Sequence, residues 1–378
     1  MANIDLTKRS AVAIFTDLEP ERPRQRRFAV VGWVLLIAAL LGIVVVALVP
    51  APYVIEQPGP VYDTLGEVTV GGEQVPLIDI PDETTYPTAG TLDMLTVTVS
   101  GNREQPPSWF EVATAYFDPS KAVVPVDEVY PEGVTQEQSN EQGRLDMENS
   151  QKEAVAAALR ELGYELGGTV TVAETQPGLP ADGVLQAGDL LVSVNGETFA
   201  DVTELREAIA ENGVDAPAEF VVERGGERVT EEVTPVLAED GETAVVGVYV
   251  EGQYDFPFEV EIQLENVGGP SAGMMFALGI MDKLTEGELN GGEDVAGTGT
   301  IAGSGEVGPI GGIRQKMYGA VRAGAEWFLA PADNCSEVVG HVPDGLTVFS
   351  VATLDDALAA LEVVAEGGDT ASLPTCSS

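Results

Sequence analysis

Two short segments hold the residue types that chemistry needs. The first, Gly268-Gly269-Pro270-Ser271-Ala272-Gly273, sets a serine between glycines just ahead of an apolar run. The second, Pro309-Ile310-Gly311-Gly312-Ile313-Arg314-Gln315-Lys316, carries a lysine into a helical pattern some 45 residues later. The chain of 378 residues has one histidine, His341, and five lysines. A serine nucleophile here has little choice but to use lysine as its base. A lysine amine is a base only when neutral, and burial among apolar groups favours the neutral form. Met317 and Ala320, on the same helical stretch, would line such a site.

Both residues also have plainer roles. Ser271 precedes a helix and reads equally as its N-cap. Lys316 reads equally as a solvated helical lysine. The other lysines are weaker bases on position. Lys283 lies 12 residues beyond Ser271 in one predicted helix, roughly 18 Å along its axis. Lys8 precedes the apolar span, Lys152 falls on a polar helix face, and Lys121 has no supporting motif. A trypsin-like arrangement needs a histidine ahead of its serine, whereas His341 follows Ser271.

The elements around these residues are readable. Glu259–Leu264 alternates polar and apolar residues and predicts a half-exposed strand. The Gly-Gly-Pro break then leads into a helix over Ser271–Leu284. A serine at such a turn projects its hydroxyl, and the backbone amides of Ser271 and Ala272 would hold a developing oxyanion. Thr298–Gly312 is a glycine-dense hairpin region feeding a helix over Ile313–Ala325. Upstream, Thr91–Val99 predicts a strand. Residues 101–145 read as polar and irregular, and Met147–Leu162 as a helix stopped by Gly163.

Residues 167–236 read as a separate module. Thr169–Val172 alternates as a strand does, and the Gly183–Gly196 string ends in the hairpin signal Asn195-Gly196. Val202–Ala210 is a short helix, and Phe220–Val229 a second hairpin. This order, with the string Gly188-Asp189-Leu190-Leu191-Val192-Ser193-Val194-Asn195-Gly196, resembles a PDZ domain of the bacterial protease type. PDZ domains add a peptide as a strand beside a loop whose amides hold a carboxylate. By that resemblance the loop is Leu162-Gly163-Tyr164; an ordinary helix C-cap is the other reading.

The formal net charge is −44. Residues 1–27 carry six basic residues (Lys8, Arg9, Arg22, Arg24, Arg26, Arg27) and four acidic ones, leaving a balance of −46 for the rest. Such a surface repels nucleic acid and anionic headgroups, so a nucleic-acid partner is excluded. Phe28–Val49 is 22 residues without a charge, long enough to cross a bilayer. Its length and the lack of a clean A-x-A site favour a retained anchor over a cleavable signal peptide. The arginines before it, with no charge until Glu56, predict the N-terminus cytoplasmic and residues 50–378 outside. Cys335 and Cys376, the only cysteines, then predict one disulfide. A catalytic thiol at Cys335 would lack a third group, and its acidic loop would raise the thiol pKa.

The string G-P-S-A-G, then T-G-x-I-x-x-x-G-x-V-x-P-I-G-G-x-x-x-K, then Arg322-Ala323-Gly324-Ala325 and Pro331-Ala332-Asp333-Asn334, resembles the Lon proteolytic domain. The resemblance covers roughly residues 240–366 and implies a Ser–Lys dyad, with Ser271 as nucleophile and Lys316 as general base. It implies no cofactor and no metal, protein or peptide substrates, and the homo-oligomers to which such domains tend. Two positions depart from the Lon pattern: a glycine stands where an acidic residue commonly precedes G-P-S, and Gln315 stands where Glu precedes the lysine. No G-x-x-x-x-G-K-[ST] phosphate loop is present, so the implied peptidase is ATP-independent.

The expected chain is α+β, with an N-terminal transmembrane helix and a β-rich PDZ domain inserted in a Lon-type domain. Its expected parts are a cytoplasmic segment (1–27), the span (28–49), a first protease part (50–165), the PDZ domain (166–237), the catalytic part (238–366) and a tail (367–378). The whole resembles the membrane-anchored PDZ–Lon-like proteases of bacteria. The competing expectation is a catalytically silent PDZ adaptor at the membrane.

Overall fold

The computed structural model describes residues 23–48, 50–130, 133, 135–199, 201–238, 241, 243–264 and 267–376. The chain runs through α1 (Pro23–Leu48), β1 (Tyr53–Asp63), the hairpin β2 and β3 (Glu67–Val70, Glu73–Pro76), β4 (Ile78–Asp79) and β5 (Thr91–Ser100). Next come α2 (Trp109–Tyr116), β6 (Ala122–Pro125), α3 (Val126–Val129) and α4 (Gln136–Glu161). A smaller unit holds β7 (Gly167–Thr175), β8 (Leu190–Val194), β9 (Glu197–Thr198), α5 (Val202–Asn212), β10 (Ala218–Arg224) and β11 (Glu227–Val233). It ends with β12 (Val236–Leu237), β13 (Ala244–Val245) and β14 (Val248–Asp255). The rest is β15 (Glu261–Ile262), α6 (Gly273–Leu284), β16 (Asp294–Gly297), β17 (Thr300–Ile301), β18 (Val307–Gly308), α7 (Ile313–Ala323), β19 (Trp327–Pro331), α8 (Cys335–Val338), β20 (Thr347–Val351) and α9 (Leu354–Ala365). The fold is mixed α+β.

The larger sheet has the order β20-β19-β16-β5-β1-β6. Strands β20, β19, β16 and β5 run parallel to one another, and β1 is antiparallel to both β5 and β6. Parallel strands covered on both faces read as unbroken apolar runs, as Trp327-Phe328-Leu329-Ala330 does. On one face Leu92, Met94, Val295 and Leu329 pack under α4, α6 and α9. On the other, Leu95, Ala296, Phe328 and Ala330 meet Ile313, Met317 and Ala320 of α7.

The smaller sheet has the order β11-β10-β8-β7-β14, with β9 beside β8. It owns a separate core of Val170, Leu191, Phe220 and Val222 with Leu205 and Ile209 of α5. Its outer strand β14 lies past residue 237, in the stretch expected to belong to the catalytic part. The register runs from Val248 opposite Thr175 to Asp255 opposite Gly167. Chain entry and exit therefore sit side by side, the geometry that lets one domain be inserted in another.

Several expectations need correction. Residues 101–145 are not irregular: they hold α2, β6, α3 and the first turns of α4. Helix α4 starts at Gln136 rather than Met147 because Thr135 and Gln138 form a capping box. Its early turns carry Arg144 paired to Glu141 and Glu148, an exposed helix without an apolar stripe. The strand expected over Glu259–Leu264 shrinks to β15, which pairs with β4. The expected span Phe28–Val49 runs into α1, but Val49 and the side chains of 43–48 lie outside the described residues. Among the described residues no helix is long and apolar enough to cross a membrane. Residues 1–22 lie outside the description as well.

Candidate active site

Ser271 and Lys316 come together at the C-terminal end of β16. The Lys316 Nζ donates to Ser271 Oγ at 2.7 Å and to Thr298 Oγ1 at 2.9 Å. Thr298 Oγ1 in turn donates to the Ser271 carbonyl at 2.9 Å, and the Gly299 amide donates to the same carbonyl at 3.0 Å. Ser271 is not the N-cap of α6: that position is Ala272, and no side chain caps the helix. The hydroxyl is therefore free to face the amine. Among the described residues no acceptor takes the amide hydrogens of Ser271 and Ala272, and both residues line the cleft.

Lys316 is 2% exposed, which removes the solvated reading. Burial alone pushes its amine down to about 7, because desolvation penalises the charged form. Gln315 faces away. Its amide, oriented to satisfy both neighbours, donates to the Gly312 carbonyl at 3.3 Å and accepts from Ala122 N at 3.2 Å. The side chain before the lysine is thus neutral and engaged away from the amine. The glycine ahead of G-P-S also has a steric cause, since a Cβ on Gly268 would stand 3.2 Å from the Gly143 backbone of α4.

The local backbone is tightly built. Ser150 Oγ of α4 donates to the Pro270 carbonyl at 2.8 Å, and Gly269 N to the Gly143 carbonyl at 2.8 Å. Gly273 lets the hairpin close in: a Cβ there would be 2.7 Å from Ile301 Cγ2. Gly312 starts α7 at φ +70°, with Val97 Cγ2 2.7 Å from where its Cβ would be. Asn334 is buried and clamps the Pro-Ile-Gly-Gly turn, its Oδ1 accepting from Ile310 N and its Nδ2 donating to Ile310 O, both at 2.9 Å. Thr298 and Asn334 were not singled out in the sequence. Their only signal was a place within the motif strings, since a polar side chain that bridges two segments leaves no periodic trace.

The cleft has a volume of about 380 Å³ and is bordered by Tyr62, Thr96, Thr98, Val267 and Gly268. Strand β16 covers β5 only at Thr91–Met94. Leu95 to Thr98 border the cleft, and among the described residues no strand pairs with them on that side.

Residues 266–363 match the family model described as the Lon protease (S16) C-terminal proteolytic domain, and residues 141–234 match that of the PDZ domain. The chain carries a Lon-type proteolytic domain and a PDZ domain. It is 38% identical over 109 residues to a Lon protease of Geobacter metallireducens, 28% of this chain and 13% of that relative. It is 35% identical over 109 residues to Lon protease 1 of Bacillus subtilis, 28% of this chain and 14% of the relative. The chain thus spans under a sixth of the length of these Lon relatives. The matched segment holds Ser271, Thr298, Lys316 and Asn334.

The expected PDZ loop does not hold. Leu162 is the C-cap of α4, and Gly163 takes φ +82°. The Gly163 and Tyr164 amides are consumed closing that helix, donating to Arg160 O at 2.8 Å and Leu159 O at 2.9 Å. The strand that follows, β7, has β8 on one side and β14 on the other, so no peptide can add to it. The open groove lies elsewhere: about 600 Å³ between α5 (Leu205, Arg206, Ile209) and the Val245–Val250 stretch. Cys335 and Cys376 are bonded, tying the tail to α8.

Proposed function

We propose that this protein is a serine endopeptidase with a Ser271–Lys316 dyad, working without ATP and tethered to a membrane with its PDZ and proteolytic domains outside the cytoplasm. The observation that carries the reading is the 2.7 Å hydrogen bond from a buried lysine amine to a serine hydroxyl, within a Lon-type domain. Neutral Lys316 takes the proton from Ser271 Oγ as the oxygen attacks the scissile carbonyl, then returns it to the leaving amine. The amides of Ser271 and Ala272 receive the oxyanion at the start of α6. Thr298 orients the amine. The uncovered edge of β5 lets the substrate lie extended beside Leu95–Thr98. The groove beside α5 takes a second extended segment and so recruits or gates substrate. The uncharged run 28–49 behind four arginines supports the tether.

The test is cleavage of a loosely folded protein by the purified chain in detergent without ATP, beside Ser271→Ala and Lys316→Ala. Loss of cleavage in both variants is expected. Survival in either refutes the dyad, and an inert parent favours the adaptor. Labelling of introduced surface groups in intact cells tests the topology: residues beyond 50 should react from outside.

A further inference from the structure

One polar cluster joins the PDZ domain to the proteolytic domain, and it ends on the hairpin that touches both members of the dyad. Glu153 and Arg160 stand on α4. The Glu153 Oε2 accepts from the Tyr254 hydroxyl at 3.0 Å and from the Gly303 amide at 2.6 Å. Arg160 donates to the Gly303 carbonyl at 3.0 Å, pairs with Asp201 and Glu204, and lies 6.0 Å from the Tyr254 ring centroid. Both polar groups of Gly303 are thus held by one helix. The fit is close: a Cβ on Gly303 would stand 2.4 Å from the Tyr254 hydroxyl.

The cluster's two sides matter equally. On the PDZ side, Asp201 caps α5, accepting from Glu204 N at 2.9 Å, and Tyr254 lies near the end of β14. These elements are the walls of the open groove. On the proteolytic side, Gly303 sits in the turn between β17 and β18, closed by Ala302 N donating to Glu306 O at 2.9 Å. The same short segment begins at Thr298, which holds Lys316, and at Gly299, which donates to Ser271 O at 3.0 Å and accepts from Met274 N at 3.2 Å.

We propose that Glu153 and Arg160 are positioning residues of the dyad: with Tyr254 and Asp201 docked against them, they hold Thr298–Gly303 where Thr298 reaches the Lys316 amine. The PDZ domain is then a brace of the active site as well as a docking module. This rests on the dyad reading above. The physical cause is that Gly299 and Gly303 give this segment little stiffness of its own. Its register comes from what grips its far end, and a misplacement near 1 Å costs about a hundredfold in rate.

The experiment uses the full chain in detergent with Glu153→Ala, Glu153→Gln, Arg160→Met and Tyr254→Phe. It reads kcat, KM, the pH–rate profile and amide hydrogen exchange over residues 298–303. Glu153→Ala and Arg160→Met should lower kcat about tenfold or more with KM little changed. They should also move the rise in rate to higher pH, as water reaches Lys316, and speed exchange over 298–303. Glu153→Gln keeps an acceptor oxygen and should restore kcat and pH profile toward the parent. Unchanged kcat and pH profile in Arg160→Met and Glu153→Ala overturns the proposal, as does a Gln variant as damaged as the Ala variant. Should the larger changes unfold the chain, Tyr254→Phe removes a single hydroxyl and decides: faster exchange supports the brace and unchanged exchange overturns it. An inert parent overturns the dyad reading alone; protection over 298–303 then decides the brace by the same rule.

Discussion

Lys316 shows how a residue type acquires a function from where it is placed. Its amine falls to about 7 from 10.5 through burial, so the neutral base is populated as pH passes that value. The rate of cleavage should rise through about pH 7 and level off above it; a flat profile across that range counts against lysine as the base. The same shift has a cost to folding. Moving a lysine from 10.5 to about 7 penalises its charged form by on the order of 5 kcal/mol. The folded pKa is the lower one, so the unfolded chain binds the extra proton between pH 7 and 10.5, and stability rises with pH across that window. Lys316→Met should therefore unfold at a higher temperature than the parent at pH 6, with the advantage shrinking toward pH 10. Thr298→Val keeps the volume but loses the hydroxyl that both accepts from Lys316 and donates to Ser271 O. Its kcat should fall roughly tenfold or more, with Thr298→Ser close to the parent.

The elements around the site are held apart or together by glycines. Helix α6 and the β17 hairpin approach so closely at Gly273 that a Cβ would meet Ile301 at 2.7 Å and Ser150 Oγ at 2.8 Å. Gly273→Ala should therefore destabilise the protein by roughly 1–3 kcal/mol through overpacking, and calorimetry would register the lower melting temperature. A melting temperature equal to the parent's would mean that the hairpin has room for the added methyl. Glycine periodicity alone does not separate this position from the many glycines that merely turn. The distinction comes from which backbone lies opposite.

At the scale of the whole molecule, three long-range ties close the structure. The small sheet returns β14 to β7, α4 reaches from the PDZ junction to the Ser271 turn, and the tail is bonded to α8 through Cys335 and Cys376. That disulfide closes a separation of 41 residues, a loop whose constraint contributes about 4 kcal/mol in the chain-entropy view. Cys335→Ser with Cys376→Ser should lower the melting temperature under oxidising conditions and leave the Ser271–Lys316 distance untouched. Unchanged unfolding in that double variant would show that β20 and α9 hold the tail without the bond. Net charge of −44 spreads over this surface, and its mutual repulsion weakens as salt is added.

Much of the site was legible in the linear chain because its parts are local. Ser271 lies in a glycine turn before an apolar helix, Lys316 follows Gly311-Gly312 into another helix, and a near-absence of histidine narrows the choice of base. The smaller sheet was partly legible for the same reason: its segments carry their own strand and hairpin signals. Three matters were settled only by tertiary structure. The burial that lowers the Lys316 amine depends on α7 packing against the strands of the larger sheet, which no local pattern encodes. The roles of Thr298 and Asn334 arise from contacts between segments far apart in the chain. The open PDZ groove follows from β14 pairing with β7, a strand partnership between residues some 80 positions apart that closes one edge and leaves another free. Local sequence determines which segments turn, coil or extend; which edge stays open and which amine loses its water are decided by what packs against them.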